Sequence, residues 1–174
     1  MFGERGLVQI YTGDGKGKTT AALGLALRAS GQGAKVAVVQ FMKGWDLYGE
    51  LKSVRLLPNV TLVQTGRPDY VHRGRELPKD YDEAERGLAE ARRFAAAGVD
   101  LLILDEINVA LDYKLLKTAD VVAFVKAKPE QMELVLTGRA AAQELLGLAD
   151  LITEMREVKH PYQKGVRARR GVEY

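Results

Sequence analysis

A chain of 174 residues with 47% apolar content can bury one sizeable core, and it has no uninterrupted apolar run of the ~18 residues that a membrane-spanning helix needs. The absence of cysteine excludes disulfides, thiolate catalysis, Fe–S clusters and cysteine zinc sites, and leaves His72 and His160 as the only imidazoles. The net charge of +3 is spread over basic residues interspersed with acids, which does not favour a nucleic-acid surface, and residues 1–6 lack an apolar leader. The expectation is one cytoplasmic domain over residues 1–174.

An apolar run at 7–11 predicts the first strand. It leads into Thr12-Gly13-Asp14-Gly15-Lys16-Gly17-Lys18-Thr19-Thr20, after which Ala21, Ala22, Leu25, Ala26 and Ala29 recur at helical spacing as far as Ser30-Gly31-Gln32-Gly33. Strand, glycine loop and helix in that order describe a phosphate-binding loop. Three glycines let successive N–H groups converge on one anion, and a helix starting near Lys18 adds the positive end of its dipole. Lys18 is placed to reach the terminal phosphates, and the Thr19 hydroxyl to hold a Mg²⁺ bridging phosphate oxygens. The usual pattern opens with glycine five residues before the Gly-Lys pair, whereas here that position is Thr12.

The compact run Val36-Ala37-Val38-Val39 predicts a strand buried on both faces of a parallel sheet. Residues 41–50, with Trp45 and Tyr48 among three aromatics, follow at a strand end. They read either as a ligand-facing loop or as a small satellite core under a long connection. Another strand is expected at 60–64, then a mobile functional loop at 65–75, in which Tyr70 is the one aromatic and His72 has no assigned role. From 80 to 97 the positions Ala84, Leu88, Ala91 and Phe94 or Ala95 share one helical face, with Glu83, Arg86, Glu90 and Arg93 opposite as a wet face.

Leu101-Leu102-Ile103-Leu104 runs directly into Asp105-Glu106. In a phosphate-loop protein an acid at that strand end binds Mg²⁺ directly or through water, and a second can activate a water. A helix over 115–126 precedes a strand at 133–137 that ends in Thr137-Gly138-Arg139, where Arg139 either meets nucleotide or pins the sheet edge. A short helix at 140–146 and a last strand at 151–155 lead to a basic tail over 158–171. That tail looks structured, and reads as a nucleic-acid contact or as an arch over the nucleotide site. The whole is an α/β fold with a mostly parallel sheet flanked by helices.

Several motifs together go beyond a generic phosphate loop. The residues 12–22, Val38-Val39-Gln40-Phe41-Met42-Lys43-Gly44, Leu104-Asp105-Glu106, Leu136-Thr137-Gly138-Arg139, Leu148-Ala149-Asp150 and Val158-Lys159-His160 with Gly165-Val166 closely resemble the ATP:corrinoid adenosyltransferases of the CobA/BtuR type, including the threonine at the opening of the loop. The resemblance implies a RecA-like P-loop fold and transfer of the 5′-deoxyadenosyl group of ATP to the Co(I) of a corrinoid such as cob(I)alamin or cob(I)yrinic acid a,c-diamide, with release of inorganic triphosphate. It implies that Gly13, Asp14, Gly15, Lys16, Gly17, Lys18, Thr19 and Thr20 bind the triphosphate, joined by Arg139. Thr19 and Glu106 would hold Mg²⁺, or Mn²⁺ in its place, with Asp105 behind them, so that Lys18, Thr19 and Glu106 carry the catalysis. It also implies ATP lying in the loop in the reverse of the usual sense, a homodimer, and a reductase that supplies Co(I), without nucleic acid or membrane as a partner.

Enterobacterial members place a phenylalanine and a tryptophan after the position of Thr65-Gly66 to keep water from cobalt. This chain reads Arg67-Pro68-Asp69-Tyr70-Val71 there, which leaves Tyr70 and Trp45 as the corrinoid candidates. Those members also carry an N-terminal extension not found here, so the corrinoid is expected to be covered differently. The competing readings are a P-loop ATPase, with Glu106 activating water, and a nucleotide-dependent nucleic-acid-binding module that uses the basic tail.

Overall fold

Strands rich in Val, Leu and Ile without polar alternation bury both faces, and here they build the centre of a six-stranded sheet. The computed structural model describes residues 5–174; residues 1–4, where the sequence reading expected no leader, lie outside the described residues. The strands are β1 (Val8–Thr12), β2 (Val36–Phe41), β3 (Val60–Thr65), β4 (Leu101–Asp105), β5 (Glu133–Thr137) and β6 (Leu151–Glu154), in the spatial order β3-β2-β4-β5-β1-β6. Every pairing is parallel. Parallel neighbours require crossovers, so helices must cover the two faces.

Alternation along β4 shows how the two faces fill. Leu102 and Leu104 join Val39, Phe41, Leu134 and Leu136 on one face, against Ala84, Leu88 and Ala91 of α3 (Pro78–Ala96). Leu101 and Ile103 join Val36, Val38 and Val135 on the other, against Ala22, Ala26 and Ala29 of α1 (Lys18–Gly31). Small residues set the helix-to-sheet spacing. A Cβ on Gly87 of α3 would stand 2.5 Å from the Phe41 ring, so glycine is what allows that helix to lie directly on β2.

Two helices were not legible in the periodicity. α2 (Gly49–Val54) buries none of its residues and therefore leaves no apolar stripe to read. The second is α4 (Ile107–Asp112), which starts immediately after Glu106, whereas the helix expected over 115–126 forms as α5 (Thr118–Lys126). The wet face expected on α3 is only partly wet. Glu83 is buried, paired with Arg86 at 2.5 Å and Lys79 at 3.1 Å, because Arg86 also donates to the Gln64 carbonyl (2.7 Å) and draws the pair against β3. A four-residue α6 (Gln143–Leu146) and a 3₁₀ turn (Pro161–Lys164) complete the chain. No helix among the described residues is long and apolar enough to cross a membrane.

Candidate active site

The C-terminal ends of the parallel strands converge on one edge, and strand order decides which residues meet there. β5 lies between β1, which feeds the glycine loop, and β4, which ends in Asp105. Across this edge runs a polar row supplied by four strands. Gln64 Nε2 donates to Gln40 Oε1 (3.1 Å), Gln40 Nε2 to Asp105 Oδ2 (3.2 Å), and the Thr137 hydroxyl to Asp105 Oδ1 (2.7 Å). The Thr19 hydroxyl at the start of α1 donates to the same Asp105 Oδ1 at 2.8 Å.

Asp105 is thereby saturated. Its second oxygen also accepts from Lys43 Nζ at 2.7 Å, and the carboxylate is 1% exposed. Lys43 extends from the segment after β2; its ammonium lies 3.4 Å from Thr19 Oγ1 and over the Tyr48 ring. Burial alone would lower the Lys43 pKa, but the charge and hydrogen bond of Asp105 outweigh it and raise it above the ordinary value. A buried carboxylate needs a counter-charge, and Lys43 supplies it.

Glu106 stands apart from that network. Its backbone sits in the left-handed region at φ 64°, its N–H donates to Thr137 Oγ1 (3.0 Å), and its side chain borders the cavity without a hydrogen bond to another described residue. Burial first, and the adjacent Asp105 charge second, lift its carboxyl above the usual carboxylate range. This is a hard oxygen donor facing open space next to a phosphate loop.

The loop holds itself ready around Lys18, a buried residue. The Lys18 ammonium donates to the carbonyls of Gly13 (2.6 Å) and Gly15 (2.7 Å), and burial lowers its pKa. Gly13, at φ +90°, faces the chain just beyond β6: a Cβ there would stand 2.4 Å from the Met155 carbonyl, the same carbonyl that accepts the Gly15 N–H at 2.7 Å. Arg139 reaches back to the Asp14 carbonyl (3.1 Å).

A cavity of about 900 Å³ opens over the loop. Of the residues expected from the sequence, Gly15, Lys16, Gly17, Lys18, Thr19, Thr20, Glu106 and Arg139 line it. Gly13 and Asp14 form the loop's outer turn rather than the lining. Trp45 and Tyr70 meet each other edge to face at 5.3 Å, outside the lining, and reach it through Tyr48, 6.5 Å from Trp45. The choice left open for 41–50 resolves both ways, because Trp45 packs on aromatics while Lys43 and Tyr48 face the cavity.

Three sets of cavity residues carry no individual role in the sequence reading, although an arch of the tail over the nucleotide site is one of its two alternatives. Lys43 follows β2 as a lone cation, which carries no signal in the sequence until Asp105 is seen beside it. Glu50 and Ser53 come from α2, which had no periodicity. Gly171, Val172, Glu173 and Tyr174 come from the tail, and Lys16 Nζ donates to Glu173 Oε1 (2.7 Å) and to the Val172 carbonyl (3.1 Å). The tail therefore borders the cavity of its own chain.

No group of three or more His, Cys, Asp or Glu gathers to hold a metal among the described residues. A divalent cation here would take the Thr19 hydroxyl and the Glu106 carboxylate together with phosphate oxygens and water, a donor set that suits Mg²⁺.

Comparison with known proteins agrees with this geometry. The family model described as ATP:corrinoid adenosyltransferase BtuR/CobO/CobP matches residues 4–174. A corrinoid adenosyltransferase of Pseudomonas aeruginosa is 36% identical over 172 residues, covering 98% of this chain and 85% of its own. Counterparts from a Sinorhizobium species (37% identity, 98% of this chain, 81% of theirs) and Escherichia coli (36%, 98% and 87%) are similar to the same extent. Among solved structures, a RadB recombinase aligns over 90% of this chain and 77% of its own with a TM-score of 0.54 at 16% identity, a likeness of fold consistent with the RecA-like P-loop architecture.

Proposed function

The chain belongs to the ATP:corrinoid adenosyltransferase family, and from that membership we infer that it transfers the 5′-deoxyadenosyl group of ATP to the Co(I) centre of a corrinoid and releases inorganic triphosphate. The observation that carries the reading is a glycine loop whose Lys18 and Thr19 line the cavity together with Glu106, in a site without cysteine. Attack falls on carbon C5′ and the nucleophile is the substrate's own cobalt. The protein needs no nucleophilic side chain, and its task is positioning and leaving-group stabilisation.

As the C5′–O bond breaks, negative charge collects on the departing triphosphate. Lys18 already donates two hydrogen bonds to loop carbonyls, and turning that ammonium onto phosphate exchanges neutral acceptors for charged ones. The free N–H groups in the first turn of α1 point the same way. Lys16, now held by Glu173, and Arg139, now on the Asp14 carbonyl, are further cations within reach of the loop. Donors fixed in a partly dry site favour the transition state over the ground state because the charge they meet is still growing. Bound Mg²⁺, or Mn²⁺, would neutralise phosphate oxygens, with Thr19 and Glu106 as its protein ligands.

We place the reaction in the cytoplasm, where ATP is available, with a reductase supplying Co(I). A homodimer is supported by β6, an edge strand exposed along its length that presents Leu151 and Ile152 to solvent. Corrinoid would approach from the side of Trp45, Tyr48 and Tyr70.

An anaerobic assay with ATP, Mg²⁺ and chemically reduced cob(I)alamin tests the reading. A light-sensitive cobalt–carbon product formed together with inorganic triphosphate is the expected result. Accumulation of ADP and phosphate without any corrinoid, and no cobalt–carbon bond with several corrinoids tried, would replace it with an ATPase.

A further inference from the structure

The reading above gives Thr19 and Glu106 the metal but does not say what holds two residues from different elements in register. β5 separates the strand that feeds the loop from the strand that ends in Asp105, so the last residue of β5 stands between them. That residue is Thr137, fully buried and paired in register with Tyr11 of β1. Its hydroxyl accepts the Glu106 N–H at 3.0 Å and donates to Asp105 Oδ1 at 2.7 Å. The same Asp105 oxygen accepts the Thr19 hydroxyl at 2.8 Å.

We propose that Thr137 is the positioning residue of this site: its hydroxyl ties the Glu106 backbone, through Asp105 Oδ1, to the Thr19 hydroxyl, and so sets the spacing of the two metal-holding groups. The proposal rests on the reading that Thr19 and Glu106 hold the metal. The chemistry of the position is narrow. Glu106 sits at φ 64°, a conformation that a non-glycine residue adopts only when its surroundings impose it, and the single bond on its N–H goes to Thr137. One group must accept from a backbone N–H and donate to a carboxylate at once. A hydroxyl does both, and a methyl does neither.

With the Thr19 proton directed to Asp105 and one long contact accepted from Lys43 Nζ (3.4 Å), a lone pair of Thr19 Oγ1 remains for a cation. Asp105 cannot rotate to release that proton, because Lys43 and Gln40 hold its other oxygen. Loss of the Thr137 hydroxyl would leave the Glu106 N–H without its acceptor and Asp105 Oδ1 with one donor instead of two. The Glu106 peptide would then leave the left-handed region and carry its carboxylate off the site.

The test compares Thr137→Val, which keeps the shape and removes the hydroxyl, with Thr137→Ser, which keeps the hydroxyl. Mn²⁺ binding to the protein with ATP and no corrinoid is followed by electron paramagnetic resonance, beside kcat, KM for ATP and the melting temperature. Thr137→Val is expected to bind Mn²⁺ about 10-fold more weakly, as for other residues that orient a metal ligand, with kcat reduced and KM for ATP little changed, while Thr137→Ser stays near wild type. If the valine variant does not fold, Thr137→Ala against Thr137→Ser carries the same comparison. Equal Mn²⁺ affinity in the hydroxyl-free variant and wild type, or an equal loss in the serine variant, would overturn the proposal while leaving the metal assignment standing. A wild-type protein that binds no Mn²⁺ with ATP would overturn both.

Discussion

Lys43 and Asp105 form an ion pair of 2.7 Å in which the lysine side chain is 14% exposed and the carboxylate 1%, directly beside the Thr19 hydroxyl. The pair exists because a parallel sheet ends its central strand in an acid that the phosphate loop then covers. Removing one partner strands the other charge away from water. Lys43→Met is expected to destabilise the fold by about 3 kcal/mol, near the low end for broken buried pairs because Lys43 keeps some contact with solvent. Urea unfolding of Lys43→Met beside the Lys43→Met/Asp105→Asn double variant checks this. The double variant should recover part of the loss, since it leaves no unpaired charge.

The Lys18 ammonium donates to two loop carbonyls and its pKa is lowered by burial, so its charge costs stability in the empty protein. Lys18→Met should therefore fold normally by circular dichroism. Its kcat for adenosyl transfer should fall by roughly 10²–10³, the usual effect of losing one fixed donor to developing charge. A variant that keeps wild-type kcat would remove Lys18 from the mechanism.

Gly13 and Gly31 offer a paired comparison. Gly13 takes φ +90° with the Met155 carbonyl 2.4 Å from where a Cβ would stand, whereas nothing lies within 4 Å of a Cβ on Gly31. Gly13→Ala is expected to lower stability by about 2 kcal/mol or more and to abolish ATP binding. Gly31→Ala, in the last turn of α1, should be neutral or stabilising by up to ~1 kcal/mol. Thermal melts with and without ATP read both outcomes.

Acid should weaken the protein through Asp80. Burial pushes this carboxyl up, but the Arg67 guanidinium (2.6 Å) and the Leu77 N–H (2.8 Å) outweigh burial and hold it below the usual carboxylate value. As pH falls, the unfolded chain takes the proton first, so the stabilisation present above about pH 4 is lost as pH drops toward the lower native value. Melting temperatures measured between about pH 6 and pH 2.5 should fall less steeply in Asp80→Asn than in wild type.

In the tail, Arg169 first and Lys16 second hold the Glu173 carboxyl down to about 2. Glu173 thus occupies a loop cation that, on the proposed function, would otherwise meet the triphosphate. Glu173→Gln is expected to lower KM for ATP roughly 2–5-fold, the scale of an exposed ion pair, with a smaller effect at high salt. An unchanged KM at low salt would show that Lys16 takes no part in binding triphosphate.

Much of this site could be read before folding, because its elements are local. The loop at 12–20 carries its own geometry in its glycines, and Leu101-Leu102-Ile103-Leu104-Asp105-Glu106 announces a buried strand ending in acids. α2 was invisible because it buries nothing, and α4 because six residues leave too few turns for a period to register. Glu83 was misjudged as wet because a charge on an amphipathic face looks the same whether or not a strand end lies over it.

The sequence by itself determined the parallel sheet, the glycine loop and the acidic strand end, since each follows from residues adjacent in the chain whose backbone preferences and apolar runs act locally. Only the tertiary structure decided that Asp105 turns to Lys43, Thr19 and Thr137 while Glu106 faces the cavity. It also decided that Trp45 and Tyr70 pack on each other, and that Glu173 reaches Lys16. These partners come from separate strands and loops, and strand order, which no local preference encodes, fixes which of them share the C-terminal edge.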